Sequence, residues 1–129
     1  MSLFTNIPTD LTIDLIIKKW DKIKNHCNLT LNQFIELLKF TFENSYFNFD
    51  NKFFKQIYGL GMGNCLSPSC SDVVMSELQS TSIAKLPFQL PFFKRYVDDI
   101  ITCVPHDQID TLLTTFNSFH PRLQFTVEK

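Results

Sequence analysis

Two adjacent acids, Asp98 and Asp99, stand between apolar, strand-like flanks in Phe93-Lys94-Arg95-Tyr96-Val97-Asp98-Asp99-Ile100-Ile101. Neighbouring carboxylates repel, and holding both at a turn with buried flanks is costly unless a cation compensates. Mg²⁺ takes oxygen ligands and is held by one or two carboxylates plus substrate phosphates. Two such ions about 4 Å apart can hold the attacking and leaving oxygens of an in-line phosphoryl transfer. The alternative is a solvated turn that is merely acidic. Average residue usage gives a Tyr-x-Asp-Asp tetrad by chance roughly once in a hundred chains of this length, so its context has to decide.

The elements around the pair are expected as follows. Met1 to Ile7 reads as the end of a strand closed by Pro8. Asp10 can cap a helix to about Asn25, with Leu11, Ile13, Leu15, Ile16, Trp20 and Ile23 inward and Lys18, Lys19, Lys22 and Lys24 on a solvated face. Thr30 and Gln33 form a capping box, which starts a helix that fades near Asn44 and buries Phe34, Ile35, Leu37, Leu38 and Phe42. Tyr46 to Phe49 and Lys52 to Tyr58 read as strands around an Asp50-Asn51 turn.

The chain's three glycines, Gly59, Gly61 and Gly63, follow at alternate positions. A helix is expected from about Ser67 to Ser80. Phe92 to Pro105 forms a second hairpin with Val97, Asp98 and Asp99 at its tip. Asp107 can cap a helix to about Phe119. Arg122 to Glu128 alternates as a strand, with Leu123, Phe125 and Val127 facing in. This mixture predicts an α+β fold with helices on one face of an antiparallel sheet.

The neighbours of the acidic turn carry a resemblance. Tyr96-Val97-Asp98-Asp99 is similar to the third palm motif of reverse transcriptases. Gly59-Leu60-Gly61-Met62-Gly63-Asn64-Cys65-Leu66-Ser67-Pro68 resembles their second, a glycine-rich turn leading into a helix. Ser2-Leu3-Phe4-Thr5-Asn6-Ile7-Pro8 resembles the back half of the first, as written in the Penelope-like retroelement branch. Phe54-Lys55-Gln56-Ile57-Tyr58-Gly59 and His120-Pro121-Arg122-Leu123-Gln124-Phe125-Thr126 also look like that branch. Three motifs in the family's order are a far more specific signal than one.

The resemblance implies a palm-like antiparallel sheet backed by helices, and an RNA-directed DNA polymerase using two Mg²⁺ ions, an RNA template, a DNA primer and deoxynucleoside triphosphates. It implies Asp98 as the more direct metal ligand, Asp99 as its less central neighbour, and Tyr96 and Val97 near the primer end. It places Phe4 beneath the incoming sugar, where a bulky ring would exclude a 2′-hydroxyl. It brings Gly61, Met62 and Gly63 near the template base and nucleotide.

The sequence departs from the pattern in two places. The first motif's aspartate would fall two residues before Met1. Asp10 and Asp14, past Pro8, cannot stand in for it. The family's Ser-Pro pair is replaced by Asn64-Cys65, which removes a fixed φ before the helix. The expectation is therefore a partial palm domain over residues 1–129, without fingers, thumb or the start of the first motif, and inactive by itself. A non-catalytic, retroelement-derived protein-interaction module is the alternative. An RNA-dependent RNA polymerase palm is a third reading, against which Phe4 argues.

Composition sets outer bounds. The 129 residues fit one domain, and 44% apolar content suits a folded chain, with Phe unusually frequent at 14. The formal charge of −1 argues against a self-sufficient nucleic-acid binder, which would show a basic excess. Cys27, Cys65, Cys70 and Cys103 have no zinc-type spacing and are expected to be free thiols in a reducing, intracellular compartment, nuclear or cytoplasmic. No apolar run approaches the roughly 20 residues needed to span a bilayer, so no membrane partner is expected.

Overall fold

The computed structural model describes residues 3–129, which form six α-helices and four short β-strands in two compact units, Met1–Val73 and Val74–Lys129. The mixed α+β class is as expected. The single sheet is not: the strands form two separate two-stranded antiparallel hairpins.

The first unit begins differently from its expectation. Met1 and Ser2 lie outside the described residues. Leu3–Asn6 is a single helical turn, α1, rather than a strand. Its backbone turns on itself through Ile7 N–H to the Phe4 carbonyl at 3.3 Å, and no β-strand pairs with it. α2 (Thr9–Lys18) follows Pro8, which takes the N-cap position; Asp10 sits in the first turn and does not cap. Thr12 Oγ1 donates back to the Pro8 carbonyl at 2.9 Å. The helix expected to reach Asn25 breaks at Lys19 and resumes as α3 (Trp20–Ile23) and a 3₁₀ turn over Lys24–His26.

α4 (Leu31–Glu43) starts on the expected capping box. Gln33 N–H donates to Thr30 Oγ1 at 3.3 Å, and Thr30 N–H donates to Gln33 Oε1 at 3.0 Å. Its apolar face is shallower than expected, since Leu38 is buried, Phe34, Ile35 and Phe42 are half-buried, and Leu37 is exposed. β1 (Tyr46–Phe49) and β2 (Lys52–Lys55) pair from Tyr46↔Lys55 to Phe49↔Lys52. Asp50 and Asn51 both have positive φ, the pattern of a type I′ turn, which matches strand twist. The second strand stops at Lys55, short of Tyr58. Ile7, Leu15, Ile16, Leu38, Leu60 and Cys70 are the buried apolar residues of this unit.

α5 (Ser67–Lys85) runs five residues past its expected end. Leu86-Pro87 is where the sequence stops it, because proline disfavours a helical predecessor. In the second unit, β3 (Phe92–Tyr96) and β4 (Asp99–Cys103) pair from Phe92↔Cys103 to Tyr96↔Asp99, with Phe93, Arg95, Ile100 and Thr102 on the less exposed face. α6 (Ile109–Asn117) is preceded by a 3₁₀ turn that contains Asp107, so Asp107 does not cap it.

The strand expected over Arg122 to Glu128 does not form. His120 and Leu123 make one isolated bridge, and the chain beyond is irregular. The Asn117 side chain substitutes for a partner strand at Phe125. Its Oδ1 accepts from Phe125 N–H at 2.6 Å, and its Nδ2 donates to the Phe125 carbonyl at 3.1 Å. Phe125 then meets Phe116 edge-on at 5.7 Å. Leu123 is buried as alternation requires, but Val127 is exposed.

Candidate functional site

The acidic pair lies at the end of the β3–β4 hairpin, with Asp98 in the turn and Asp99, expected at the tip, already in the strand. Tyr96 and Asp99 are the last paired residues, so the reversal consists of Val97 and Asp98 alone. Asp99 is therefore the first residue of β4, and Asp98 is the only acid within the turn. Val97 has φ +57° while Asp98 does not share the left-handed region, the pattern of a type II′ turn. That first position favours glycine. A β-branched residue there is strained by roughly 1–3 kcal/mol, and such strain collects at ligand clamps and active sites.

The strained turn is held by Arg95. Its Nη1 donates to the Val97 carbonyl at 2.8 Å. Its Nε donates to Gln79 Oε1 at 3.2 Å, and its Nη2 donates to Ser76 Oγ at 3.1 Å. Gln79 and Ser76 lie on α5. The planar guanidinium thus fastens the acidic tip to a helix, which lysine's point charge could not do in three directions. Nothing in the residue spacing singled out Arg95, although an arginine two residues before a strained turn on the inward face of a strand is the signal that could have.

Asp98 and Asp99 are both exposed, as are Tyr96 and Val97. Burial therefore does not force a cation between the acids, contrary to expectation: water can screen the pair. The donor set itself, oxygen only and on consecutive residues, suits a hydrated hard dication held by one or two carboxylates. Among the described residues no group of three His, Cys, Asp or Glu side chains comes together to hold a metal ion.

The other candidate residues lie in the first unit, and the fold brings them together. Leu60 N–H donates to the Phe4 carbonyl at 2.7 Å. Gly59 has φ +75°, and a Cβ there would overlap the Thr5 carbonyl, so only glycine lets the loop run this close to α1. Gly61, Met62 and Gly63 line a cavity of about 730 Å³ with Thr5, Tyr46, Lys55 and Tyr58. Phe4 is half-buried and is not among the residues lining it. Met62 is 71% exposed, and the space beside Gly63 is open.

Asn64 orders the entry into α5. Its Oδ1 accepts from Leu66 N–H at 2.9 Å, its carbonyl accepts from Ser67 N–H at 3.1 Å, and Ser67 Oγ donates to the Gly61 carbonyl at 2.6 Å. This Asx turn leads the chain into α5 without a ring to fix φ.

All four cysteines are free thiols. Burial pushes the Cys70 thiol up to about 11. His120 is occupied locally, its Nδ1 accepting from Arg122 N–H at 3.1 Å. Among the described residues no helix is long and apolar enough to cross a membrane. No protein-family model, no curated protein and no solved structure matches the chain.

Proposed function

We propose that the chain is a reverse-transcriptase-type palm element of Penelope-like character, with Asp98 and Asp99 as the residues that receive Mg²⁺. The observation that carries this reading is the acidic pair at a strained two-residue reversal, braced by Arg95 against α5. A bare acidic turn would need neither the strain nor the brace. Two bound ions would supply Lewis-acid stabilisation of the attacking and leaving oxygens. Asp98 and Asp99 would hold the ions, and Tyr96 and Val97 would flank the primer end. Gly61, Met62 and Gly63 would present backbone to the nucleotide, and Phe4 would bear on its sugar.

The partners in this reading are an RNA template, a DNA primer and deoxynucleoside triphosphates. With no third acid beside the pair among the described residues, the chain by itself should bind metal weakly and give no primer extension. Terbium luminescence tests the site. Millimolar-range binding lost in Asp98→Ala is expected; an unchanged titration in that variant sinks the assignment. Primer extension by the chain, dependent on Mg²⁺ and abolished by Asp98→Ala, would overturn the expected inactivity while keeping the site.

Exposure of both carboxylates favours a second reading, a non-catalytic interaction module descended from such a palm. It requires no metal. It predicts that Asp98→Asn leaves partner capture unaltered.

A further inference from the structure

The β1–β2 hairpin is exposed on both faces: all eight strand residues are exposed, five of them aromatic. Its two faces differ in chemistry. Cross-strand partners share a face, so Phe47 lies with Phe54 and Phe49 with Lys52 on one side. There Phe47 and Phe54 stack on each other, with centroids 5.5 Å apart and planes 18° from parallel.

The opposite face carries Tyr46 beside Lys55 and Asn48 beside Phe53. Each ring on it is paired with a polar group, not with another ring. Tyr46 is 61% exposed and Phe53 80%. β2 carries Lys52 and Lys55, and neither strand carries an acid; the hairpin's single acid, Asp50, is in the turn. Tyr46 and Lys55 also line the cavity at the hairpin's foot.

We propose that the face formed by Tyr46, Asn48, Phe53 and Lys55 is a docking surface for single-stranded nucleic acid. Unpaired bases offer a π-face to each ring and a hydrogen-bonding edge to the Asn48 amide, while the phosphate between them meets Lys55. A protein partner would want a contiguous apolar centre with charge kept to the rim. This face instead alternates ring and polar group, the repeat of a nucleotide chain. The type I′ turn fixes the twist of the platform, so little ordering is needed on binding. The site stands on the hairpin alone and does not require the acidic pair.

Stacking, not charge, should dominate the binding, which accommodates the chain's overall charge of −1. With Lys55 the one lysine on this face, the slope of log K against log salt should be about −0.7, at roughly 0.7 per contact on a single strand.

The test is fluorescence anisotropy of the full chain with labelled oligouridylate and oligothymidylate of about 12 nucleotides, within the usual site sizes for such platforms. Single strands should bind at least ten-fold better than the corresponding duplex. Phe53→Ala and Tyr46→Ala should each weaken binding about five-fold or more, with unchanged circular dichroism. Ile101→Ala, an exposed apolar change in the second unit, should leave binding as it was. Absence of binding, equal binding of duplex, or hairpin variants that bind as well as the unsubstituted chain would overturn the proposal. So would hairpin variants that shift sedimentation but not oligonucleotide binding, which would make a second copy of the chain the occupant. Terbium binding at Asp98 is read separately: a titration that Asp98→Ala leaves unchanged, with oligonucleotide binding intact, removes the polymerase reading and leaves this one.

Discussion

The Arg95 guanidinium donates to the Val97 carbonyl at 2.8 Å, so a side chain from β3 holds the residue whose φ of +57° turns the chain toward Asp98. The same group reaches Gln79 and Ser76 on α5. Hairpin pairing places the acids, and one planar cation ties the turn beside them to the helix.

Removing that cation should loosen the tip. Arg95→Ala should cost about 2 kcal/mol, since charged hydrogen bonds are lost from partly buried partners. Arg95→Lys should recover less than half, because an ammonium cannot span the three acceptors. Urea denaturation measures both. Weaker terbium binding in each variant, with Asp98 intact, would show that the brace also positions the acids.

Val97→Gly should raise stability by roughly 1 kcal/mol, because glycine takes positive φ without the steric cost that a β-branched residue carries. If the strain serves the site, terbium affinity should fall in the same variant as the tip gains freedom. Denaturation and luminescence on one preparation settle both expectations.

The loop glycines should separate cleanly. At Gly59 an added methyl meets the Thr5 backbone and the φ is +75°, so Gly59→Ala should cost about 3 kcal/mol or more. Gly63 has φ +84° but open space beside it, so Gly63→Ala should cost only about 1 kcal/mol. Chemical denaturation of the two variants gives the comparison.

Cys70 makes a pH prediction. Burial raises its thiol to about 11, so the folded state holds this proton more tightly than the unfolded chain does. Its contribution is complete below the ordinary thiol range, and stability should decline as pH rises from about 9 toward 11. Cys70→Ala should flatten that decline. At pH 8, an aromatic disulfide reagent should label exposed Cys65 and Cys103 rapidly and Cys70 only on unfolding.

Local signals were legible where a few neighbouring residues decide the outcome. The Thr30–Gln33 capping box, the Asp50-Asn51 reversal and the hairpin that carries Asp98 each depend on short-range hydrogen bonds and turn chemistry, and each forms as read. The glycine spacing likewise marked a loop whose closeness to α1 depends on a missing side chain.

What failed depended on partners the sequence does not name. Leu3–Asn6 and the Arg122-to-Glu128 stretch have strand-like composition, yet a strand exists only with an edge to pair with. One coils into a helical turn, and the other is bracketed by the Asn117 amide. The exposure of Asp98 and Asp99 was equally out of reach, because apolar flanks say nothing about which face of a hairpin is covered. Residue types and spacing thus determined the turns, caps and candidate groups. Sheet membership, the exposure of the acids and the Arg95 brace were left to the tertiary structure, since each is set by contacts between segments distant in the chain.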